Sequence, residues 1–440
     1  MKNKGKSQKK QTKIDEIGIT NDVLTGRGGM APFVRYLCGT GLLAYIVSSF
    51  LPLRIRNRGI KVSDLIKQII CCFVEGGSRH LTYFNTLRKD RGYAAAIETS
   101  PEDMATSHAI KRFVGKISFP RIFSLRRILQ KMFIHRLNLL KPSVIVLGID
   151  TMVMNNDDAN CREGVKPSYK KVKGFQPLQM NWGGRFVDAV FRGGDKHSNH
   201  SDTTEKMIRH MVKKIRRGYD PDTPIIIRMD SGFFDQKLFE FCEGLGVYYI
   251  CGGKQYKDIQ EYISGFQKEE WRRYSRPGNK KDAWEYIEFM DRRDTVIYTN
   301  LGMNPDLDAK LIKAGHGDLI DAEKIIESYH QRGGDELANR GVKDFHAEQL
   351  PFDRFESNMF WYYMILISFF LLENYKEDIL CPLVPKSAYA TTVRRNLIDF
   401  AAKIVRHAGK ITLKVTKATW ENLDLPELWR RTGSPPRFAW

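Results

Sequence analysis

Several function classes are excluded by what this 440-residue chain lacks. Its seven cysteines (Cys38, Cys71, Cys72, Cys161, Cys242, Cys251 and Cys381) are odd in number and scattered, with no paired Cys-x-x-Cys motifs at zinc spacing. Neither a zinc ribbon nor a disulfide framework is expected, and the thiols read as reduced core residues. No Gly-x4-Gly-Lys-Ser/Thr loop occurs, because Gly5-Lys6-Ser7 leaves no room for the earlier glycine, and no Gly-x-Ser-x-Gly elbow exists. P-loop ATP hydrolysis and esterase-type serine chemistry have no support. Residues 36–53 carry no charge but include glycine, serine and proline, and the apolar run 360–372 is too short for about 30 Å of hydrocarbon. Both are expected as buried helices, and no membrane partner is expected. Residues 1–13 hold six lysines with no apolar segment immediately after them, which predicts no signal peptide and a cytoplasmic protein.

What is abundant is positive charge. Lysine and arginine number 71 against 51 acids, a formal net charge of +20. Residues 1–140 carry 25 cations and 9 acids, so +16 of the +20 lies there. A chain polarised in this way suits one region that grips a phosphate backbone and another that does chemistry.

The first fourteen residues read as a basic tail. Apolar spacing of three and four in 62–74 and 122–140 predicts an all-helical region up to 140. Within it Ser100-Pro101-Glu102-Asp103 looks like a helix start, with the helix continuing to Val114 and carrying Lys111 and Arg112. With residues 65–87 this forms a candidate helix-turn-helix. The pattern then changes. Residues 143–149 form an unbroken apolar run ending on Asp150, and residues 224–229 form a further candidate strand ending on Asp230. These read as buried strands, as do 185–191 and 247–250, with helices at 203–215 and 236–243. Alternating aromatic segments at 284–289 and 295–298 read as antiparallel ribbons, and helices are expected at 321–338, 355–372 and 392–407. The polar turn around His197, His200 and Asp202 reads as a solvated loop.

Two acids at strand ends converge above a sheet and are suited to holding divalent cations. A third group follows in Tyr329-x2-Arg332-x3-Glu336-x6-Lys343. At about 100° per residue these four positions fall within roughly 60° of arc on a continuous helix. Asp335 is a second acid beside Glu336, and Gly333, Gly334 and Gly341 weaken that helix.

The order Asp150, Asp230, then Tyr-x2-Arg-x3-Glu-x6-Lys resembles the Y-R-E-K signature of bacterial insertion-sequence DDE transposases. Leu147-Gly148-Ile149-Asp150-Thr151, Lys173-Gly174-Phe175-Gln176-Pro177-Leu178, Arg228-Met229-Asp230-Ser231-Gly232-Phe233 and Phe355-Glu356-Ser357-Asn358 are similar to blocks of one group of that family. The resemblance implies an α/β ribonuclease-H-like core with a β-rich insertion, preceded by an all-helical DNA-binding domain and followed by C-terminal helices. The corresponding division is a tail at 1–14, a DNA-binding domain at 15–140, a catalytic domain at 141–252 and 320–375, an insertion at 253–319 and a C-terminal helical region at 376–440.

It further implies that Asp150, Asp230 and Glu336 are catalytic and hold two Mg²⁺ ions, for which Mn²⁺ substitutes. Tyr329, Arg332, Lys343, Lys111, Arg112 and Trp284 are then the DNA-contacting candidates, Trp284 by stacking on a flipped base. The implied partners are double-stranded DNA, as terminal inverted repeats and target, and a second copy in a dimeric synaptic complex. The implied activity is cut-and-paste transposition in the bacterial cytoplasm at the nucleoid. A structure-specific endonuclease on the same core and a catalytically dead DNA-binding regulator are the alternatives.

Overall fold

The structure, a computed structural model, describes residues 14–50, 59–253, 256–275, 283–287, 290–291 and 295–438. The side chains at 49, 50, 258, 283–287, 290, 291, 295, 335 and 336 lie outside this description, so Trp284, Asp335 and Glu336 are placed by their backbone alone.

A short strand, β1 (Val23–Thr25), leads into the helices α1 (Met30–Gly39), α2 (Leu42–Phe50) and α3 (Val62–Glu75). Gly76 ends α3 in the left-handed conformation at φ 70°. Two short helices, Tyr83–Leu87 and Arg91–Ala96, precede α4 (Ser107–Val114) and α5 (Phe119–Leu140). The sheet begins with β2 (Ile145–Thr151), β3 (Leu178–Trp182) and β4 (Arg185–Val190), and continues past α6 (Thr203–Gly218) with β5 (Ile225–Met229). Then come α7 (Gln236–Gly244), β6 (Tyr248–Gly252), β7 (Arg272–Ser275), β8 (Ala283–Ile287), β9 (Met290–Asp291) and β10 (Thr295–Thr299). The last part holds α8 (Ala322–His330), α9 (Gly333–Lys343), α10 (Phe355–Tyr375), β11 (Ala402–His407), β12 (Lys410–Lys414) and α11 (Leu425–Thr432).

One nine-stranded sheet has the order β7-β8-β9-β10-β6-β5-β2-β3-β4. The three central strands β6, β5 and β2 are parallel neighbours, and all other pairs are antiparallel. The ribbons 272–299 therefore extend the main sheet, with Tyr298 of β10 opposite Cys251 of β6. Parallel strands need cover on both faces. Ile145, Leu147 and Ile149 belong to the large core shared with α5, α6 and α10, while Val144 and Val146 pack toward a second cluster with Ile325 and Ile326 of α8.

At the centre lies α10. Every residue from Ser357 to Leu372 is buried. By length and composition this helix could cross a membrane, but 89% of its most apolar window is inside the protein. It packs on α1, α3, α5, α9 and β4, so the N-terminal helices and the sheet share one continuous core.

Three expectations are corrected. The helix expected to start at Ser100 is a single 3₁₀ turn, Pro101–Asp103, and α4 begins only after Thr106, whose hydroxyl accepts the Ala109 N–H at 3.1 Å. Gln68 of α3 diverts the intervening backbone: its Oε1 accepts the Ala105 N–H at 2.7 Å and its Nε2 donates to Asp103 O at 2.9 Å. The helix expected over 392–407 ends by Ile398, and residues 402–414 of the expected C-terminal helical region form a β-hairpin that pairs with β1. Its two-residue turn, Ala408-Gly409, has positive φ at both positions, which matches the strand twist. Finally, residues 321–338 are not one helix. At Gln331 and Arg332 the bonds shorten to three-residue spacing, Arg332 N–H to Tyr329 O at 3.0 Å and Gly334 N–H to Gln331 O at 2.9 Å, and α9 starts afresh.

A buried ionic network ties α5 to the end of α10. Arg136 donates to Glu377 Oε2 and Asp378 Oδ1, both at 2.6 Å, while Arg185 and Lys386 also donate to Glu377 at 2.5 and 2.8 Å. Burial opposes ionisation of Glu377, but the bonds from Lys386 and Arg136 and the charge of Arg185 outweigh it and hold the carboxyl at about 2. A folded-state value below the ordinary 4.5 stabilises the fold above that pH, and the contribution disappears as pH falls from about 4.5 to about 2. Glu377→Gln is expected to melt lower than wild type at pH 7 and to lose less stability across that acid window. Thermal melts at stepped pH check this, and parallel acid limbs for the two proteins would refute it.

Candidate active site

Asp150 is the penultimate residue of β2 and Asp230 immediately follows β5. The strands are parallel and in register at Ile149 and Met229, so the two acids stand side by side at the same sheet edge. Each carboxylate is oriented by the chain around it. Asp150 Oδ1 accepts the Thr151 N–H at 2.7 Å, and Asp230 Oδ1 accepts the Gly232 N–H at 2.9 Å in the 3₁₀ turn Ser231–Phe233. Burial pushes the Asp150 carboxyl up to about 6, and the charge of Asp230 adds to the rise; the Thr151 N–H, Arg332 and Asn339 oppose it. A half-buried acid whose ionisation is opposed by burial and by a neighbouring carboxylate is a place where a cation is favoured.

The third element is α9. Asn339 Nδ2 donates to Asp150 Oδ2 at 2.9 Å, which fastens this helix to the end of β2. Position 336 lies one turn before Asn339 on the same side of α9. Gly341 explains how α9 comes so close: a side chain there would meet the Phe369 ring of α10 at 2.8 Å. The apparent weakness of a glycine within the helix is a close helix crossing. Among the described residues no three acids, histidines or cysteines gather as a metal-binding group. The residues present nevertheless fit a divalent cation: two adjacent carboxylates are accompanied by Asn339 Oδ1, a buried oxygen with no hydrogen-bond partner. Oxygen-only donors of this kind favour Mg²⁺ or Mn²⁺.

Tyr329, at the end of α8, lies over Gly252, where any side chain would collide with the phenol oxygen. Burial raises the Tyr329 hydroxyl above its ordinary value, and Arg332, which hydrogen-bonds it, opposes the rise. Arg332 also acts electrostatically on Asp150, so Tyr329 and Arg332 are both at the acid pair. Lys343 is elsewhere. It forms an exposed ion pair with Glu348 at 2.8 Å at the last turn of α9, while the break at Gln331 and Arg332 separates Tyr329 and Arg332 from the α9 stripe that carries positions 336 and 343. Lys111 and Arg112 are exposed on α4 while Ile110, Phe113 and Val114 face the core.

Sequence reasoning missed Asn339, Thr151 and Ser198. The Asn339 signal is its position three residues after Glu336. Ser198 Oγ lies 3.4 Å from Thr151 Oγ1, and the loop is tied down where Asn199 Nδ2 donates to Asp235 Oδ2 at 2.8 Å. The segment expected as a solvated loop thus forms one rim of the site.

No curated protein matches the chain. Among solved structures, a cryo-EM structure of a piggyBac transposase synaptic complex with hairpin DNA is similar at 12% identity and a TM-score of 0.46, covering 86% of this chain and 82% of that one. Residues 25–425 match the family described as Transposase DDE domain group 1. With that match extending over most of the chain, this protein belongs to the DDE transposase domain family.

Proposed function

We propose that the protein is a transposase of a bacterial insertion sequence that cleaves DNA at the terminal inverted repeats of its element and joins the freed ends to target DNA. The observation that carries this reading is the pair Asp150 and Asp230 at one sheet edge, with the Glu336 helix fastened to Asp150 by Asn339. The order β4-β3-β2-β5-β6, with β2 parallel to β5 and antiparallel to β3, supports a ribonuclease-H-like core. Residues 15–140, with exposed Lys111 and Arg112, form the repeat-binding domain, residues 253–319 the insertion, and two copies assemble on paired ends in the cytoplasm.

Asp150, Asp230 and Glu336 would hold two Mg²⁺ ions, which when bound activate the attacking oxygen and stabilise the leaving alkoxide of an in-line displacement. The chain's own groups do the remainder. Asn339 holds Asp150 in orientation, Arg332 places a fixed positive charge where phosphate charge develops, and Tyr329 offers a hydroxyl to the same phosphate. Lys343 reaches DNA by exchanging Glu348 for a phosphate, and Trp284 stacks on a displaced base.

Asp150→Ala, Asp230→Ala and Glu336→Ala are each expected to abolish Mg²⁺-dependent cleavage of repeat-end DNA while leaving binding intact, and the losses should be non-additive. Arg332→Gln should slow cleavage on the order of a hundredfold without changing the melt. Lys343→Gln should do less, since an exposed ion pair must be given up to reach the DNA. Near-normal cleavage by any carboxylate variant would remove that residue from the site, with Asp335 replacing Glu336. Cutting without joining of pre-cleaved ends would make the protein an endonuclease.

The acid pair gives a second test that does not depend on turnover. Mg²⁺ or Mn²⁺ should raise the melting temperature of wild type, since a ligand at a hundredfold over its Kd stabilises by about 2.7 kcal/mol. Without metal, Asp150→Asn should melt above wild type, because a half-buried carboxyl whose ionisation burial and Asp230 oppose is replaced by a neutral amide, and metal should no longer shift it. A wild-type melt indifferent to both cations would sink the metal assignment.

A further inference from the structure

Away from the acid pair, α5 and α6 enclose a cleft of about 580 Å³ lined by Lys131 and His135 on one side and His210, Lys213, Lys214 and Arg217 on the other. No acid lines it. The nearby Asp188 is fully buried and committed: Arg126 holds both its oxygens at 2.6 Å, and Gln130 donates to it at 2.8 Å. Among the described residues Lys213, Lys214 and Arg217 make no ion pair. Their neighbour Arg216 shows what a structural arginine does here, since it donates to Leu245 O and Gly246 O at 2.8 and 3.1 Å. Cations in a last helical turn offset the helix dipole. That accounts for Arg216 and Arg217, but not for Lys213 and Lys214 a turn earlier, nor for Lys131 on the facing helix.

The cleft is also held in shape. Lys131 donates to Tyr45 OH at 2.7 Å, His210 Nε2 and Gln130 Oε1 are 3.1 Å apart, and Asn138 Nδ2 donates to Gly218 O at 2.8 Å, fixing the end of α6 on α5. Burial pushes the Lys214 ammonium down. Asp188 counters this, and Lys131, Arg127 and Arg126 add to the depression. Cations gathered in this way, with no acid among the lining residues, suit a polyanion.

We propose that this cleft is a second DNA-backbone site, which binds phosphodiesters of the duplex flanking the cut. This rests on the transposase reading above. The ends of α5 and α6 lie at the sheet edge where β2 and β5 begin, whereas Asp150 and Asp230 lie at the edge where they end. A seven-residue strand at about 3.3 Å per residue separates the two edges by roughly 20 Å. At about 3.4 Å per base pair that is roughly six pairs of duplex. Lys213 and Arg217, four residues apart, stand about 6 Å apart along α6, so they can meet successive phosphates of one strand.

The test is a salt titration of full-length protein on random-sequence duplex DNA, comparing wild type with the triple variant Lys213→Gln, Lys214→Gln, Arg217→Gln. All three positions lie at or near the surface, and a thermal melt checks the fold. Each lost phosphate contact lowers the log-log salt slope by about 0.9, so the triple variant should lose two to three units of slope, and more than tenfold in affinity at low salt. An unchanged slope in a folded triple variant overturns the cleft assignment and leaves the transposase reading standing. No DNA binding by wild type overturns both. A triple variant with wild-type DNA binding that no longer binds poly-glutamate, where wild type does, makes the cleft a site for an acidic polypeptide and likewise overturns the proposal.

Discussion

A helix with no polar face cannot meet water on any side, and the rest of the molecule is arranged to satisfy α10. Sixteen consecutive buried residues, 357–372, demand neighbours all round. The sheet supplies one through β4, the N-terminal helices supply α1, α3 and α5, and α9 closes the remainder. The polar groups of α10 are used to fix position: Tyr362 OH accepts Gln179 Nε2 of β3 at 2.6 Å, and Tyr363 OH donates to Ala189 O of β4 at 2.8 Å. Register between α10 and the sheet is thereby set by directional bonds, while the bulk of the stabilisation comes from apolar burial. Because Gly341 lets α9 lie directly on Phe369, the helix bearing Glu336 takes its place from α10, and Asn339 carries that placement to Asp150.

Set within this rigid frame, the acid pair is the part that works against folding. Burial and the charge of Asp230 oppose ionisation of Asp150, Arg332 offsets this only in part, and no ion pair with either acid is formed among the described residues. Elsewhere three acids in or near the core are neutralised: Asp188 has Arg126, Glu377 has Arg136, Arg185 and Lys386, and Glu75 has Arg27. The contrast is chemical. A carboxylate already committed to arginine offers a metal little, whereas one held by a backbone N–H and an asparagine keeps lone pairs available and an orientation that binding need not create.

The parts of this arrangement that were legible in the sequence are those dictated by periodicity. Residues 144–147 and 225–227 are apolar without interruption because both faces of their strands are covered, and each strand carries an acid at its carboxyl end. The parts that were not legible depend on single tertiary bonds or on turn chemistry. Nothing local says that Gln68 will capture the Ala105 N–H and delay α4, whereas the break at Gln331 and Arg332 does have a local sign in Gly333 and Gly334, which weaken the helix beside it. The hairpin at 402–414 was obscured because Ala408 occupies a positive-φ position where asparagine or glycine would have announced the turn. Spacing alone could place Tyr329, Arg332, Glu336 and Lys343 on one stripe; the break puts Tyr329 and Arg332 on one side of it and positions 336 and 343 together on α9, where Lys343 pairs with Glu348.

The N-terminal helices and the acid pair are linked through one more side chain. Arg394 is buried and donates to Phe73 O and Val74 O, at 2.9 and 2.8 Å, at the end of α3, and to Asp344 O at 3.1 Å just beyond α9. Its guanidinium also lies 4.9 Å from the centre of the Phe345 ring. One planar group thus joins the ends of two helices, one from the basic half and one carrying position 336. Helix ends expose carbonyls that require donors, and a guanidinium with five N–H groups in a fixed fork can serve both at once only while the helices keep their spacing. Displacing α3 would cost hydrogen bonds at α9 as well.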